Sequence, residues 1–131
     1  MSGWSEILAL AVAGAIGTVG RYAMSGWAYR ILGEGFAYGT LVVNVVGCFL
    51  LGLLMQVGVT TDIVPRTVRF ALAIGFLGAF TTFSTFGYET VRYAEDGAWN
   101  LALANVGAQL ALGLLATWAG FTVARAAVGG V

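Results

Sequence analysis

Histidine is absent from this 131-residue chain, cysteine and proline occur once each, and charged residues make up only 9% of it. Without histidine, and with Cys48 alone inside an apolar run, there is no zinc-ligand set, no cysteine and histidine pair and no intrachain disulfide. These gaps argue against an enzyme. Charged residues usually form about a quarter of a soluble domain, so a shell this sparse could not keep a folded globule in water. Six basic residues balance six acidic ones, which leaves no basic face for a nucleic-acid backbone. Nucleic acid is therefore not an expected partner.

What the chain does have is apolar length. It is 60% hydrophobic, with a mean hydropathy of +0.91. A spanning helix needs roughly 20 apolar residues, so four spans take about 80 and six about 120; only four leave room for turns. An outer-membrane barrel would show short alternating segments, and the long unbroken runs do not alternate. The expectation is an all-α, multi-pass membrane protein in a single domain, with spans near residues 5–31, 36–59, 64–93 and 99–125.

The intervals between these runs carry turn signals. Gly33, Glu34 and Gly35 follow the first run; Thr60, Thr61 and Asp62 follow the second. Pro65 suits the first turn of a helix, and Glu95, Asp96 and Gly97 close the third run. Trp4, Trp27, Trp99, Tyr29 and Tyr93 fall near the ends of the runs, where amphipathic rings favour the headgroup region. The first run lacks a basic leader and exceeds a signal-peptide core, so it is expected to stay as a span.

Arg66, Arg69 and Arg125 fall on one side of the bilayer, Arg30 and Arg92 on the other, with Arg21 embedded. Basic asymmetry orients membrane proteins, and three against two is a weak asymmetry. Two readings are open: insertion both ways with antiparallel pairing, or a modest preference set by Arg66 and Arg69.

Twenty glycines point to close helix contact, because association in lipid relies on small residues that let backbones approach. Gly14, Gly17 and Gly20 form one such set. Asn44 interrupts an apolar run and shares a helical face with Thr40, Gly47 and Leu51. Its amide either bonds between helices or offers its NH2 to an anion. Arg21 lies about 24 Å along the first span from Ser5 at 1.5 Å per residue. It either snorkels to the surface or draws anions into a watery vestibule.

The segment from Gly75 through Phe86 packs glycines, four hydroxyls and four phenylalanines into the middle of a span. It is poor material for a straight helix. Gly78 lacks side-chain support, Thr81, Thr82 and Thr85 are β-branched, and their hydroxyls can bond carbonyls freed by a break. A break at this depth is tolerated only where it is buried or lines a cavity, and its free carbonyls can hold a cation. Phe83 and Phe86 stand three apart and share a face. Their rings are either ordinary core, or turn positive edges toward a small anion that a full charge would trap.

These residues resemble the Fluc (CrcB-type) fluoride channels of microbes over essentially the whole chain. The resemblance is carried by Gly17 to Tyr22, Gly39 to Gly47 and above all Gly75 to Phe86. It implies an antiparallel, dual-topology homodimer, with a break in the third helix, that passes fluoride passively through two pores at the interface and relieves fluoride toxicity. By motif, Asn44 is the pore amide, Phe83 and Phe86 form an aromatic box, Thr40 and Thr85 are polar neighbours, and Arg21 is the vestibule arginine. Glu89 matches a glutamate three residues beyond the box. Gly78 and Thr81 fall where the family holds a central, structural sodium ion (Na+) through backbone carbonyls of both subunits. The implied location is the cell (inner or plasma) membrane.

One departure lies on the fourth span. Asn105 and Gln109 stand where some family members carry a tyrosine and a serine along the ion route. Amides can also donate to fluoride, so Asn105 is kept as a pore candidate. Two other functions compete with the channel. A small dual-topology drug exporter needs an acidic residue deep in the first span, where this chain has Arg21. A non-transporting assembly subunit predicts no flux from the purified protein.

Overall fold

The computed structural model describes residues 3–129, and all regular structure among them is helical. Helix α1 covers Gly3–Leu32 and α2 covers Tyr38–Thr60. The third span, Arg66–Glu95, is composite. It begins with α3 (Arg66–Phe70), widens into a π-helical stretch (Ala71–Leu77), and tightens again in α4 (Gly78–Phe80). It resumes as α5 (Phe83–Glu95). Helix α6, Trp99–Val128, completes the chain. Four helical stretches are thus long and apolar enough to cross a bilayer. The longest, at 30 residues, reach about 45 Å at 1.5 Å per residue, which exceeds a hydrocarbon core of about 30 Å and allows tilt.

Most large apolar side chains point outward, among them Ile7, Val19, Leu103 and Leu114. That inversion of the soluble pattern fits a lipid solvent. Internal contact is made by small residues instead. A Cβ at Gly17 would collide with the carbonyl oxygen of Phe76, so the α1 backbone lies directly against the third span at the end of its π-helical stretch. A Cβ at Gly47 would collide with the Thr81 side chain, which sets α2 equally close on another side. Few other residues could stand at either place, because the space is already filled by neighbouring atoms.

The most extensive helix contact joins α2 to α6. Asn44 meets Gln109, Cys48 meets Gly113 and Gly52 meets Thr117. Each pair advances four residues on both helices, so the two run parallel, and this register places Asn105 one turn earlier at the level of Thr40. The seam carries polar residues at one end and small ones beyond. Hydroxyls facing helix backbone are satisfied locally: Thr18, Thr117 and Thr122 each bond the carbonyl four residues earlier, as a medium without water requires.

Candidate functional site

Two residues separate α4 from α5. Thr81 (φ −92°, ψ 159°) and Thr82 (φ −150°, ψ 111°) are both extended. The stretch before them closes with the Thr81 amide and hydroxyl both donating to the Leu77 carbonyl, at 3.1 and 3.0 Å. The stretch after them opens with a side-chain cap: the Thr85 N–H donates to Thr82 Oγ1 at 3.2 Å. The Thr82 hydroxyl also lies 2.9 Å from Thr85 Oγ1. A threonine at this position satisfies one of the donors that every helix start leaves open.

Asn44 grips the extended segment. The Thr82 N–H donates to Asn44 Oδ1 at 2.8 Å, and Asn44 Nδ2 donates back to the Thr82 carbonyl at 3.1 Å. Nδ2 donates a second time, to Gln109 Oε1 at 3.1 Å. In a continuous helix the Thr82 N–H would bond the Gly78 carbonyl and the Thr85 N–H the Thr81 carbonyl. Both donors are diverted, the first to Asn44 and the second to the Thr82 side chain, so the Gly78 and Thr81 carbonyls lose their helical partners.

Arg21 holds the other side. Its Nε donates to the Ala79 carbonyl at 3.0 Å, within α4, at the end of the first half of the span. A cation belongs at this helix end, where backbone carbonyls accumulate partial negative charge.

Cavities lie on two sides of Thr82. One, of about 760 Å³, is lined by Arg21, Arg30, Ser25, Tyr29, Thr40 and Thr85 among others. The second, of about 320 Å³, is a groove lined by Asn44, Gly78, Thr81, Phe83, Phe86 and Gln109 with apolar neighbours. Thr82 borders both. In the groove the rings of Phe83 and Phe86 meet edge to face, with centroids 5.5 Å apart and planes 61° apart. Phe83 is 81% exposed in the single chain.

The structure thus gathers Asn44, Phe83, Phe86, Gly78 and Thr81 around the groove, and Arg21, Thr40 and Thr85 around the larger cavity. Two candidates stand apart. Asn105 is 0% exposed, borders neither cavity, and donates from Nδ2 to Thr90 Oγ1 at 3.0 Å. Glu89 lines a separate recess of about 320 Å³ with Tyr29, Phe36 and Tyr93, where the Tyr29 hydroxyl donates to its Oε2 at 3.4 Å. Its Oε1 and the Asn105 Oδ1 are buried without a partner.

Thr82 was not singled out from the sequence as a site residue, yet it caps α5, receives Asn44 and borders both cavities. Its signal is legible in outline, since threonine is among the residues favoured at the position that caps a helix start. Gln109, a departure from the family pattern, shares a helix face with Asn105, four residues earlier, and it alone of the two reaches the groove.

The family described as CrcB-like protein, Camphor Resistance (CrcB), matches residues 8–121. The fluoride-specific ion channel FluC of Geobacter metallireducens is 50% identical over 119 residues, covering 91% of this chain and 96% of that protein. Its namesake from Geobacter sulfurreducens is 51% identical over 121 residues, covering 92% and 98%. The one from Citrifermentans bemidjiense is 48% identical over 121 residues, with the same coverage. With the family matched from the first span to the fourth and relatives near half identity along almost their full lengths, the chain belongs to the CrcB-like family.

Proposed function

We propose that this protein is a fluoride-selective channel that lets cytoplasmic fluoride leave down its electrochemical gradient. The observation that carries the reading is the groove where the Phe83 and Phe86 rings stand beside the interrupted helix and side-chain amides. Ring edges and amide N–H groups replace part of the ion's water without a fixed charge that would hold it, as filters require. The relatives' name, fluoride-specific ion channel, agrees. Hydrogen fluoride is a weak acid that crosses lipid and ionises inside; the trapped anion then needs only a passive exit, and no energy-coupling domain has to be invoked.

The working unit in this reading is an antiparallel homodimer of subunits inserted in both orientations in the cell membrane. Its support is the weak arginine asymmetry and the exposed position of Phe83, which a second copy would cover. A carboxyl-terminal reporter active on one side only distinguishes the two orientations; activity confined to one side overturns dual insertion. The Gly78 and Thr81 carbonyls, freed from their helical donors, suit a sodium ion shared between subunits. Bound there, sodium would supply positive charge that offsets the converging carbonyl oxygens.

The decisive experiment is efflux from liposomes that contain only this polypeptide, with fluoride and chloride compared. Fluoride efflux with chloride retained is expected. A silent wild-type protein overturns the channel reading and favours an assembly role.

A further inference from the structure

Between α2 and the first half of the third span lies a crevice of about 340 Å³. Leu50, Leu53, Leu54 and Val57 form one wall, Leu72 and Phe76 the other, and every lining residue is apolar. It exists because the π-helical stretch leans on α1, where Gly17 admits the Phe76 carbonyl, and makes little contact with α2. Leu50 to Val57 is about 10.5 Å of helix at 1.5 Å per residue. The crevice thus runs from mid-span to the end where α2 stops and the third span starts, and Val64 lines it there.

The groove beside Phe83 takes Asn44, Gly47, Cys48 and Leu51 from α2, whereas the crevice takes Leu50, Leu53, Leu54 and Val57. At 100° per residue the two sets face about 120° apart, so a copy that covers Phe83 meets a different side of α2. Water gains nothing from an apolar crevice, and an empty one forfeits dispersion contacts along both walls. In a bilayer the remaining filler is hydrocarbon chain. At the mouth stands Arg69, one turn before Leu72. Its Nη1 donates to the Gly58 carbonyl at 2.8 Å, beside Val57, and a Cβ at Gly58 would collide with its guanidinium and stem. That bond uses one of five N–H groups, and among the described residues Arg69 forms no ion pair. Arg66 turns elsewhere, to a recess it shares with Glu6.

We propose that the crevice is a lipid site: it takes one acyl chain of an anionic glycerophospholipid whose phosphate is held by Arg69. A guanidinium pairs with phosphate through parallel N–H bonds, and basic residues at the end of a span attract anionic headgroups. A zwitterionic headgroup carries its own cation beside the phosphate and gains less. Arg69 is already laid across the end of α2, so little side-chain freedom is lost when the headgroup arrives. The site is independent of what the protein conducts.

Native mass spectrometry of the detergent-solubilised protein, offered phosphatidylglycerol and phosphatidylcholine of matched chains, tests both halves of the site. The wild type is expected to retain one phosphatidylglycerol per protomer, preferred about fivefold over phosphatidylcholine, the equivalent of one basic residue near the membrane surface. Arg69→Gln should abolish the preference, Arg69→Lys should keep most of it, and Arg66→Gln should leave it unchanged. Leu53→Trp fills the crevice and should reduce retention of both lipids. A wild type without preference, equal losses from Arg66→Gln and Arg69→Gln, or full retention by Leu53→Trp overturns the proposal. If Arg69 serves only to brace the end of α2, Arg69→Gln lowers the thermal midpoint with lipid preference intact, and the proposal fails. It fails too if the wild type holds no lipid and Leu53→Trp instead separates the protein into single subunits, which would assign the crevice to a second copy. Should Arg69→Gln fail to fold, the wild-type competition and Leu53→Trp remain decisive.

Discussion

The Asn44 side chain bonds both backbone groups of Thr82, with the Thr82 N–H donating to Oδ1 at 2.8 Å and Nδ2 donating to the Thr82 carbonyl at 3.1 Å. A primary carboxamide offers an acceptor and a donor side by side, so it satisfies the N–H and the C=O of one extended residue together, which in a helix would each have found a partner one turn away. Two extended residues can therefore sit inside a span with their polar groups satisfied.

Asn44→Leu removes both bonds at similar volume and leaves the Thr82 groups unpaired. The expected loss is about 2 kcal/mol or more, given roughly 1 kcal/mol per intramembrane bond and the added cost of orphaned groups. Denaturant titration in detergent reads it. Asn44→Asp keeps an acceptor for the Thr82 N–H and should lose less. Equal stability of wild type and Asn44→Leu would mean the clamp contributes nothing.

Thr82→Val deletes the α5 cap and preserves the branched shape, whereas Thr82→Ser retains the hydroxyl. A lost cap costs about 1 kcal/mol, so thermal midpoints should fall for valine and stay near wild type for serine. Matching midpoints for the two variants would count against the capping role.

Arg21→Met should weaken both stability and flux. The Nε bond to the Ala79 carbonyl disappears, as does the positive charge beside the larger cavity. Fluoride influx into liposomes at low ionic strength should fall severalfold, and the gap should narrow as salt screens the charge. A salt-independent difference would assign Arg21 to bracing alone.

At Gly17 a methyl group meets the Phe76 carbonyl, and backbone yields less readily than a side chain. Gly17→Ala is expected to cost about 1–3 kcal/mol, the usual range for overpacking, read as loss of the folded protein's peak on size exclusion after mild heating. An alanine variant as robust as wild type would show that α1 and the third span lie farther apart.

Phe83→Ile and Phe86→Ile keep apolar bulk but delete the ring edges. Each should lower fluoride efflux about tenfold, the equivalent of roughly 1.4 kcal/mol, with the elution profile of the protein unchanged. Undiminished flux in both variants would remove the rings from the ion's path.

Hydropathy made the four spans readable from composition and run length alone, because a medium without hydrogen-bonding partners imposes helices on any apolar stretch of sufficient length. Glycines were readable as contact residues by the same logic, though not which contact each makes. Gly17 and Gly47 look alike in the sequence; one faces a carbonyl of the π-helical stretch and the other a threonine methyl. Asn105 and Gln109 look alike too. The parallel register of α2 and α6 brings Gln109 to Asn44 and the groove, and leaves Asn105 enclosed beside Thr90.

The sequence by itself determined the solvent, the helical class, the number of spans and the presence of amides, arginine and rings where lipid would otherwise be, since these follow from transfer free energies summed along the chain. Only the tertiary structure decided how the polar atoms pair. A carboxamide has two ends with opposite hydrogen-bonding character, and which end meets which neighbour depends on groups far away in the chain: Thr82 lies 38 residues from Asn44, and Gln109 lies 65. Long-range packing therefore chose how the buried amides pair, and one-dimensional spacing holds no record of that choice.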